Sequence, residues 1–278
     1  MKNIVVITGG GSGMGLEAAK LMDKDSHIIL VGRTPAKLQN ALDALAALGL
    51  DAEAFPADAG DAASVEKLAA YAASLGNVKT VIHAAGISPH MASGEEIFRV
   101  NAIGTINIDT AFLKVMGPGS CILNVASMSA YMLPAAQTPT ALYQVAMKDA
   151  NAFMAGAAQM LGNIPEEKRP GAGYTISKNF MKWYTEHMAV EAGKKGIRIV
   201  CISPGTFDTP LGEVEGEGAA KYARMGAMGR VGKPEEIAKM MAFMVSDDAS
   251  YLTGVDILYD GGTIAALNAM MEAQTQKG

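Results

Sequence analysis

The chain has 278 residues and a formal net charge of −5, with no basic run and no Arg/Lys stripe, which argues against a nucleic-acid partner. Half of the residues are apolar and 18% are charged, enough for a sizeable core in one large α/β domain. No stretch approaches the roughly 18 unbroken apolar residues of a membrane span, so no membrane partner is expected.

The start, MKNIVVITGG, goes directly into a strand without a separate apolar leader, so a cytoplasmic location is expected. Seven short apolar runs then recur: 3–8, 27–32, 52–58, 80–86, 121–127, 198–204 and 255–260. Helical patterns lie between them at Gly15 to Asp23, Pro35 to Leu48, Ala62 to Leu75, Glu95 to Met116 and Pro234 to Val245. Strands that are apolar without alternation, separated by helices, predict a parallel sheet covered on both faces. The expected fold class is α/β, a doubly wound sheet that binds its ligand at the carboxyl ends of the strands. No repeat, low-complexity tract or linker divides the chain, so residues 1–278 read as one domain.

Cys121 and Cys201 each sit inside an apolar run and read as buried free thiols. His27, His83, His90 and His187 have no metal-ligand spacing, so no metal is expected.

One region breaks the rhythm. From about 130 to 172 the chain carries an apparent helical insertion. Residues 138–163 read as a helix, with Thr138 at its N-cap and Pro139 at the first position. Residues 163–173, NIPEEKRPGAG, read as a loop. The insertion is either extra scaffold or subunit contact, or a wall over a substrate pocket.

Thr8, Gly9, Gly11, Ser12, Gly13, Met14 and Gly15 form TGGGSGMG, directly after the first strand and opening a helix. Glycines allow a tight turn and close backbone approach, and the helix start offers free N–H groups to a phosphate. A nucleotide site is expected here. At the end of the second strand stands Gly32, where an acid would mark NAD, and Arg33 and Thr34 follow. An arginine beside the adenosine ribose suits a 2′-phosphate, so NADP(H) is favoured, with NAD(H) the alternative. Asp58, beside Ala59, reads either as an acceptor for the adenine amine or as a turn or cap residue, and Asp61 reads as a turn or cap residue. Ala84, Ala85 and Gly86 end the fourth strand with small residues against which a cofactor can lie.

Tyr174 is the only one of the eight tyrosines with a lysine four residues on, Lys178. On a helix the two share a face. A nearby ammonium favours the phenolate, and such a tyrosine can exchange a proton with an alcohol oxygen. Ser127 ends the fifth strand at the ligand-binding edge and can hold the same oxygen.

These residues carry a resemblance. Thr8-Gly9-x-x-x-Gly13-x-Gly15, Asn101 in VNAIGTIN, Ser127 in NVASMS, Tyr174-x-x-x-Lys178 and SPGTFDTP at 203–210 together resemble the short-chain dehydrogenase/reductase family, in order along nearly the whole chain. The resemblance implies a Rossmann sheet of seven parallel strands. It implies that Tyr174 is the general acid/base, that Lys178 tunes it and binds the nicotinamide ribose, and that Ser127 orients the carbonyl oxygen. It implies a water held by Asn101 that links Lys178 to a proton relay. Pro204, Gly205, Thr206 and Phe207 would border the nicotinamide, and Thr209 would reach the pyrophosphate.

Two features depart from the family pattern. The usual Asn-Asn-Ala-Gly is His83-Ala84-Ala85-Gly86, with His83 read as a satisfied structural side chain. Ser127 and Tyr174 are 47 positions apart, and the insertion between them resembles that of the bacterial 3α-hydroxysteroid dehydrogenase/carbonyl reductase subgroup. That resemblance favours a dimer over the family's common tetramer.

The expected reaction interconverts a secondary alcohol and a ketone. Met128, Tyr131, Met132 and Leu133, with a glycine-rich lid at about 207–229, suggest a bulky apolar substrate such as a steroid. A 3-oxoacyl carrier-protein reductase is the nearest alternative, opposed by Glu213, Glu215 and Glu217 in the lid. A non-catalytic nucleotide sensor is the other, opposed by the complete Asn101, Ser127, Tyr174 and Lys178 set.

Overall fold

A computed structural model describes residues 2–275. β1 (Asn3–Thr8) leads through the glycine turn into α1 (Gly13–Ala19). β2 (His27–Gly32) is followed by α2 (Pro35–Ala46), and β3 (Asp51–Pro56) by α3 (Ala62–Leu75). β4 (Asn77–His83) is followed by α4 (Gly94–Phe98) and α5 (Gly104–Val115). After β5 (Cys121–Val125) come α6 (Thr140–Ala146), α7 (Ala150–Gly162) and the long α8 (Arg169–Gly193). β6 (Arg198–Pro204), α9 (Pro210–Met225), α10 (Pro234–Val245), β7 (Asp256–Tyr259) and α11 (Thr263–Thr275) complete the order.

The strands form one parallel sheet, ordered β3-β2-β1-β4-β5-β6-β7. This is the doubly wound seven-stranded fold that the alternation of runs implied. Strand side chains alternate between faces. Ile4 and Val6 of β1 therefore join the core under α3, α5 and α8, while Val5 and Ile7 join the core under α1, α2 and α10. The strand order reverses between β1 and β4, which opens a crevice at their carboxyl ends.

At that end the register lines up one row across the sheet: Val31, Thr8, His83, Asn124, Cys201 and Asp256. Cross-strand partners share a face, so this row lies under α5 and α8. All but Asp256 are buried: Val31, Thr8, His83, Asn124 and Cys201. Cys121 and Cys201 are buried free thiols, as expected.

The helix expected from Glu95 to Met116 contains a five-residue π turn, Arg99–Ile103, between α4 and α5. Such single turns frequently sit at functional positions. The helix expected over 138–163 is two helices. Asp149 accepts from Asn151 N–H at 2.9 Å and Ala152 N–H at 3.0 Å, which starts α7 afresh after α6 has ended. Thr138 and Pro139 precede α6, and Thr138 does not cap it. The segment read as a loop up to Gly173 turns helical at Arg169 instead. Pro170 is tolerated there because a first-turn N–H has no partner within the helix. Arg169 also binds Ile164 O at 2.9 Å and Gly162 O at 3.2 Å, tying the end of α7 to the start of α8.

The inserted helices pack on α4 and α8 through aromatic rings. Phe153 lies 4.5 Å from Phe180 and 5.1 Å from Phe98, centroid to centroid, and all three rings are buried with Tyr143.

Candidate active site

Thr8 closes β1 at the crevice. Its Oγ1 accepts from Ala85 N–H at 3.1 Å and lies 2.8 Å from His83 Nδ1. Gly9 then turns the chain at φ +69°, and a Cβ there would lie 2.8 Å from the Ala84 carbonyl. Only glycine combines that backbone angle with that approach. A Cβ on Gly15 would fall 2.7 Å from Gly9 O, so α1 also starts flush against the turn. Ser12 occupies the N-cap of α1 in extended conformation without its side chain capping the helix.

A cleft of about 290 Å³ runs along this turn. One wall is Thr8, Gly9, Gly11, Ser12, Gly13, Met14 and Gly15; opposite stand Ala84, Ala85 and Gly86. Arg33 and Thr34 close one end beside Asp58 and Ala59, and Thr209 borders the loop. An extended dinucleotide fits these residues. The floor is backbone that a Cβ would fill, and the first-turn N–H groups of α1 suit a pyrophosphate.

The Arg33 end of the cleft holds two cations, because Lys37 lines the cleft with Arg33. Lys37 was not singled out from the sequence. Its signal is its place four residues after Arg33, in the first turn of α2. Asp58 is engaged by its own neighbourhood: Oδ1 accepts from Gly60 N–H at 2.9 Å, and Oδ2 lies 3.4 Å from Arg99 Nη2. Asp58 lines the cleft as well as holding its own turn, so the geometry accommodates both readings. Asp61 caps α3 through Ala63 N–H at 3.1 Å. Arg99 also donates twice to Glu96, at 2.8 and 2.7 Å, and holds that carboxyl below its ordinary range; Arg33 adds a smaller pull.

His83 was read as a satisfied side chain, and the structure satisfies half of it. Nδ1 meets Thr8, whereas the buried Nε2 has no hydrogen-bond partner among the described residues. Burial, and secondarily the charge of Lys178, depress its pKa to about 3. The imidazole is therefore neutral in ordinary buffers.

The remaining candidates converge beyond Gly86. Asn101, in the π turn, is fully buried and clasps the Ile87 backbone: Ile87 N–H donates to Oδ1 at 3.0 Å, and Nδ2 donates to Ile87 O at 3.1 Å. Nδ2 also reaches Ser177 Oγ at 3.3 Å, and that hydroxyl donates to Tyr174 O at 2.8 Å. Lys178 is buried, with Nζ 5.9 Å from the centroid of the Tyr174 ring. Nζ donates to Val125 O at 2.9 Å, at the end of β5. Ser127 follows two residues later and caps the short 3-10 turn Met128–Tyr131, its Oγ accepting from Ser129 N–H at 3.2 Å. A Cβ on Gly86 would lie 3.1 Å from Asn101 Oδ1 and 3.3 Å from Lys178 Nζ. The cleft floor, Asn101 and Lys178 thus meet at one point.

A family model described as "short chain dehydrogenase" matches residues 3–163, and one described as "Enoyl-(Acyl carrier protein) reductase" matches residues 162–263. The chain belongs to the short-chain dehydrogenase/reductase family. It is 28% identical over 272 residues to short-chain dehydrogenase/reductase bsc3 of Alternaria brassicicola, covering 96% of this chain and 97% of that one. It is 28% identical over 273 residues to the cyclohexanol dehydrogenase of Acinetobacter sp. (strain SE19), covering 93% of each. A solved short-chain dehydrogenase from Burkholderia cenocepacia J2315 in complex with NADP has the same fold, with a TM-score of 0.74 at 22% identity, over 93% of this chain and 96% of that one. The chain is accordingly an oxidoreductase of this family.

Not every residue suggested by the family resemblance lines the cleft of this short-chain dehydrogenase/reductase. Phe207 is buried, with its ring parallel to Tyr259 at 6.1 Å, so its side chain belongs to the core. Pro204 ends β6, and Gly205 N–H continues the sheet by donating to Tyr259 O at 3.0 Å. Thr206 Oγ1 donates to Ala219 O at 3.0 Å, tethering α9. Thr209 caps α9 through Gly212 N–H at 3.1 Å, and its side chain lies against Gly13. Met91 lines the cleft and was missed; Leu211 and Val214 line it too, inside the segment expected as a lid but not named individually. They are solitary apolar residues in loops or in an otherwise polar helix, with no periodicity to mark them.

Proposed function

We propose that this enzyme interconverts a secondary alcohol and a bulky apolar ketone, with NADP(H) favoured over NAD(H). The observation that carries this reading is the placement of Lys178 Nζ. It lies over the Tyr174 ring, is anchored at the end of β5 next to Ser127, and adjoins Gly86 on the cleft floor.

The glycine turn, Ala84 to Gly86 and Thr209 would hold the dinucleotide, whose nicotinamide would supply the hydride in reduction and take it up in oxidation. Tyr174 Oη gives a proton to the carbonyl oxygen in reduction and removes it from the alcohol in oxidation. Ser127 Oγ donates a hydrogen bond to the same oxygen. The Lys178 ammonium stabilises negative charge as it develops on the Tyr174 oxygen. Asn101 fixes the backbone at Ile87 and the turn of α8 below Tyr174.

Arg33 and Lys37 at the adenosine end, with no carboxylate at Gly32 and Asp58 already engaged, support the 2′-phosphate of NADP(H). Met91, Leu211 and Val214 support an apolar substrate such as a steroid. The lid reading of 207–229 rests on α9, which Gly216 breaks at φ +68°. The insertion between Ser127 and Tyr174 supports membership of the subgroup resembling 3α-hydroxysteroid dehydrogenase/carbonyl reductase. With it go one domain over 1–278, a cytoplasmic site of action and a homo-oligomer, dimeric rather than tetrameric. An acidic acyl carrier protein suits the site less well, because Glu213 and Glu217 are exposed on α9.

The test is cofactor oxidation on a ketone panel, from cyclohexanone to steroid ketones, with NADPH and NADH in parallel. Turnover with NADPH in preference to NADH is expected. Failure on every ketone and on each corresponding alcohol would contradict the reading.

A further inference from the structure

The insertion is joined by hydrogen bonds to both halves of the candidate site. Tyr143 of α6 is fully buried, and its hydroxyl lies 3.1 Å from Ile176 O and 3.0 Å from Asn179 Oδ1. Ile176 stands between Tyr174 and Lys178 on α8, and Asn179 directly follows Lys178. The Asn179 amide donates in turn to Ala130 O at 2.7 Å. Ala130 lies in the 3-10 turn that Ser127 caps. A line of hydrogen bonds therefore runs from the insertion, past the Tyr174–Lys178 turn, to the turn carrying Ser127.

We propose that Tyr143 and Asn179 are positioning residues that set the separation between Ser127 and the Tyr174–Lys178 face of α8. This rests on the reading of Ser127 and Tyr174 as the groups that hold the reacting oxygen. Three observations favour a spacer over simple filling. The phenol is aimed at the one α8 turn that carries the candidate acid/base pair. Its ring is fixed by Phe153, Phe180 and Trp183, with centroids 6.5, 5.3 and 5.5 Å away, so the hydroxyl has a defined position. The Ser127 turn is also pinned at its last residue, where Tyr131 Oη donates to Asp256 Oδ2 at 2.7 Å. Asn179 supplies the tie to α8 at Ala130. A buried polar group costs stability unless paired, so a phenol here, where a phenyl ring would pack as well, points to the bonds it makes.

The test uses the full chain with NADPH and the ketone that turns over fastest in the panel. Tyr143→Phe removes one oxygen and keeps the packed ring; Asn179→Ala removes the amide. Each is expected to lower kcat about tenfold, since small displacements of reacting groups cost up to about a hundredfold. KM and NADPH affinity should stay within about twofold, and the double variant should be no worse than the worse single, because both act through one line. Amide hydrogen exchange at residues 128–131 should rise in both variants with NADPH bound, while β1 and α1 keep their protection. Wild-type exchange at 128–131 in both variants, or a wild-type kcat in Tyr143→Phe, overturns the proposal. If Tyr174→Phe keeps wild-type turnover, the reading of the reacting pair falls instead, and exchange at 128–131 still reports on the tie.

Discussion

Asp109 gives a quantitative prediction. It lies on α5, fully buried, with Oδ2 accepting from Asn124 Nδ2 at 2.9 Å. Oδ1, and Asn124 Oδ1 beside it in the same pair, have no hydrogen-bond partner among the described residues. Burial raises the Asp109 pKa from 3.8 to about 7, and the Asn124 hydrogen bond offsets only part of this. Between those values the unfolded chain has lost the proton and the native state still holds it. Stability therefore falls as pH rises through this window and levels off above about pH 7. At about 1.4 kcal/mol per unit, a shift of roughly three units is worth on the order of 4 kcal/mol. Asp109→Asn keeps the shape and removes the ionisation. It should match wild type near pH 4 and exceed it by about 2–4 kcal/mol near pH 8, or roughly 5–10 °C in Tm. His83 slopes the other way: its pKa falls from 6.5 to about 3, so its contribution is lost as pH falls through that range. The two partly cancel in the wild-type curve, and the difference between wild type and variant isolates Asp109. Urea midpoints for both proteins from about pH 4 to about pH 8 would measure it. A difference that stays constant over that range would refute the reasoning.

Other expectations follow from the same geometry. Arg33→Ala and Lys37→Ala should each weaken NADPH binding about tenfold or more while leaving NADH nearly unchanged, by fluorescence titration. Wild-type protein that binds NADH as tightly as NADPH would reject the assignment. Phe153→Ala should cost about 3–5 kcal/mol in urea unfolding, because three buried aromatic neighbours lose their common contact. A loss below about 1 kcal/mol would show that the insertion does not share the core of α4 and α8. His83→Asn should flatten the acid side of the stability curve, and an acid limb as steep as wild type would show that His83 is not held neutral.

Strand positions were legible because buried parallel strands are unbroken apolar runs; the bounds of β1, β2 and β6 coincide with the runs that marked them. The glycine turn was legible for a related reason, since Gly9 and Gly15 have no room for a Cβ. The insertion was harder to resolve. Its composition is helical throughout, so the break at Asp149 depends on a cap competing with propensity, and the helical start at Arg169 on tolerance of Pro170 in a first turn. The π turn at Asn101 left no mark in the apolar periodicity, because Val100, Ala102 and Ile106 are buried either way. Lys37 was obscured because a lysine in a first helical turn ordinarily faces solvent. The Tyr143–Asn179–Ala130 line is a matter of tertiary contact between segments far apart in sequence, which no local pattern carries.

The most direct test of the catalytic reading is rapid-mixing measurement of hydride transfer in Tyr174→Phe, with NADPH saturating and the panel's best ketone as substrate. Proton transfer by a placed side chain contributes about 10²–10⁴-fold, so transfer should slow by at least roughly a hundredfold with NADPH affinity unchanged. Transfer within a factor of about two of wild type, with NADPH bound normally, would contradict the placement of Tyr174 at the reacting oxygen.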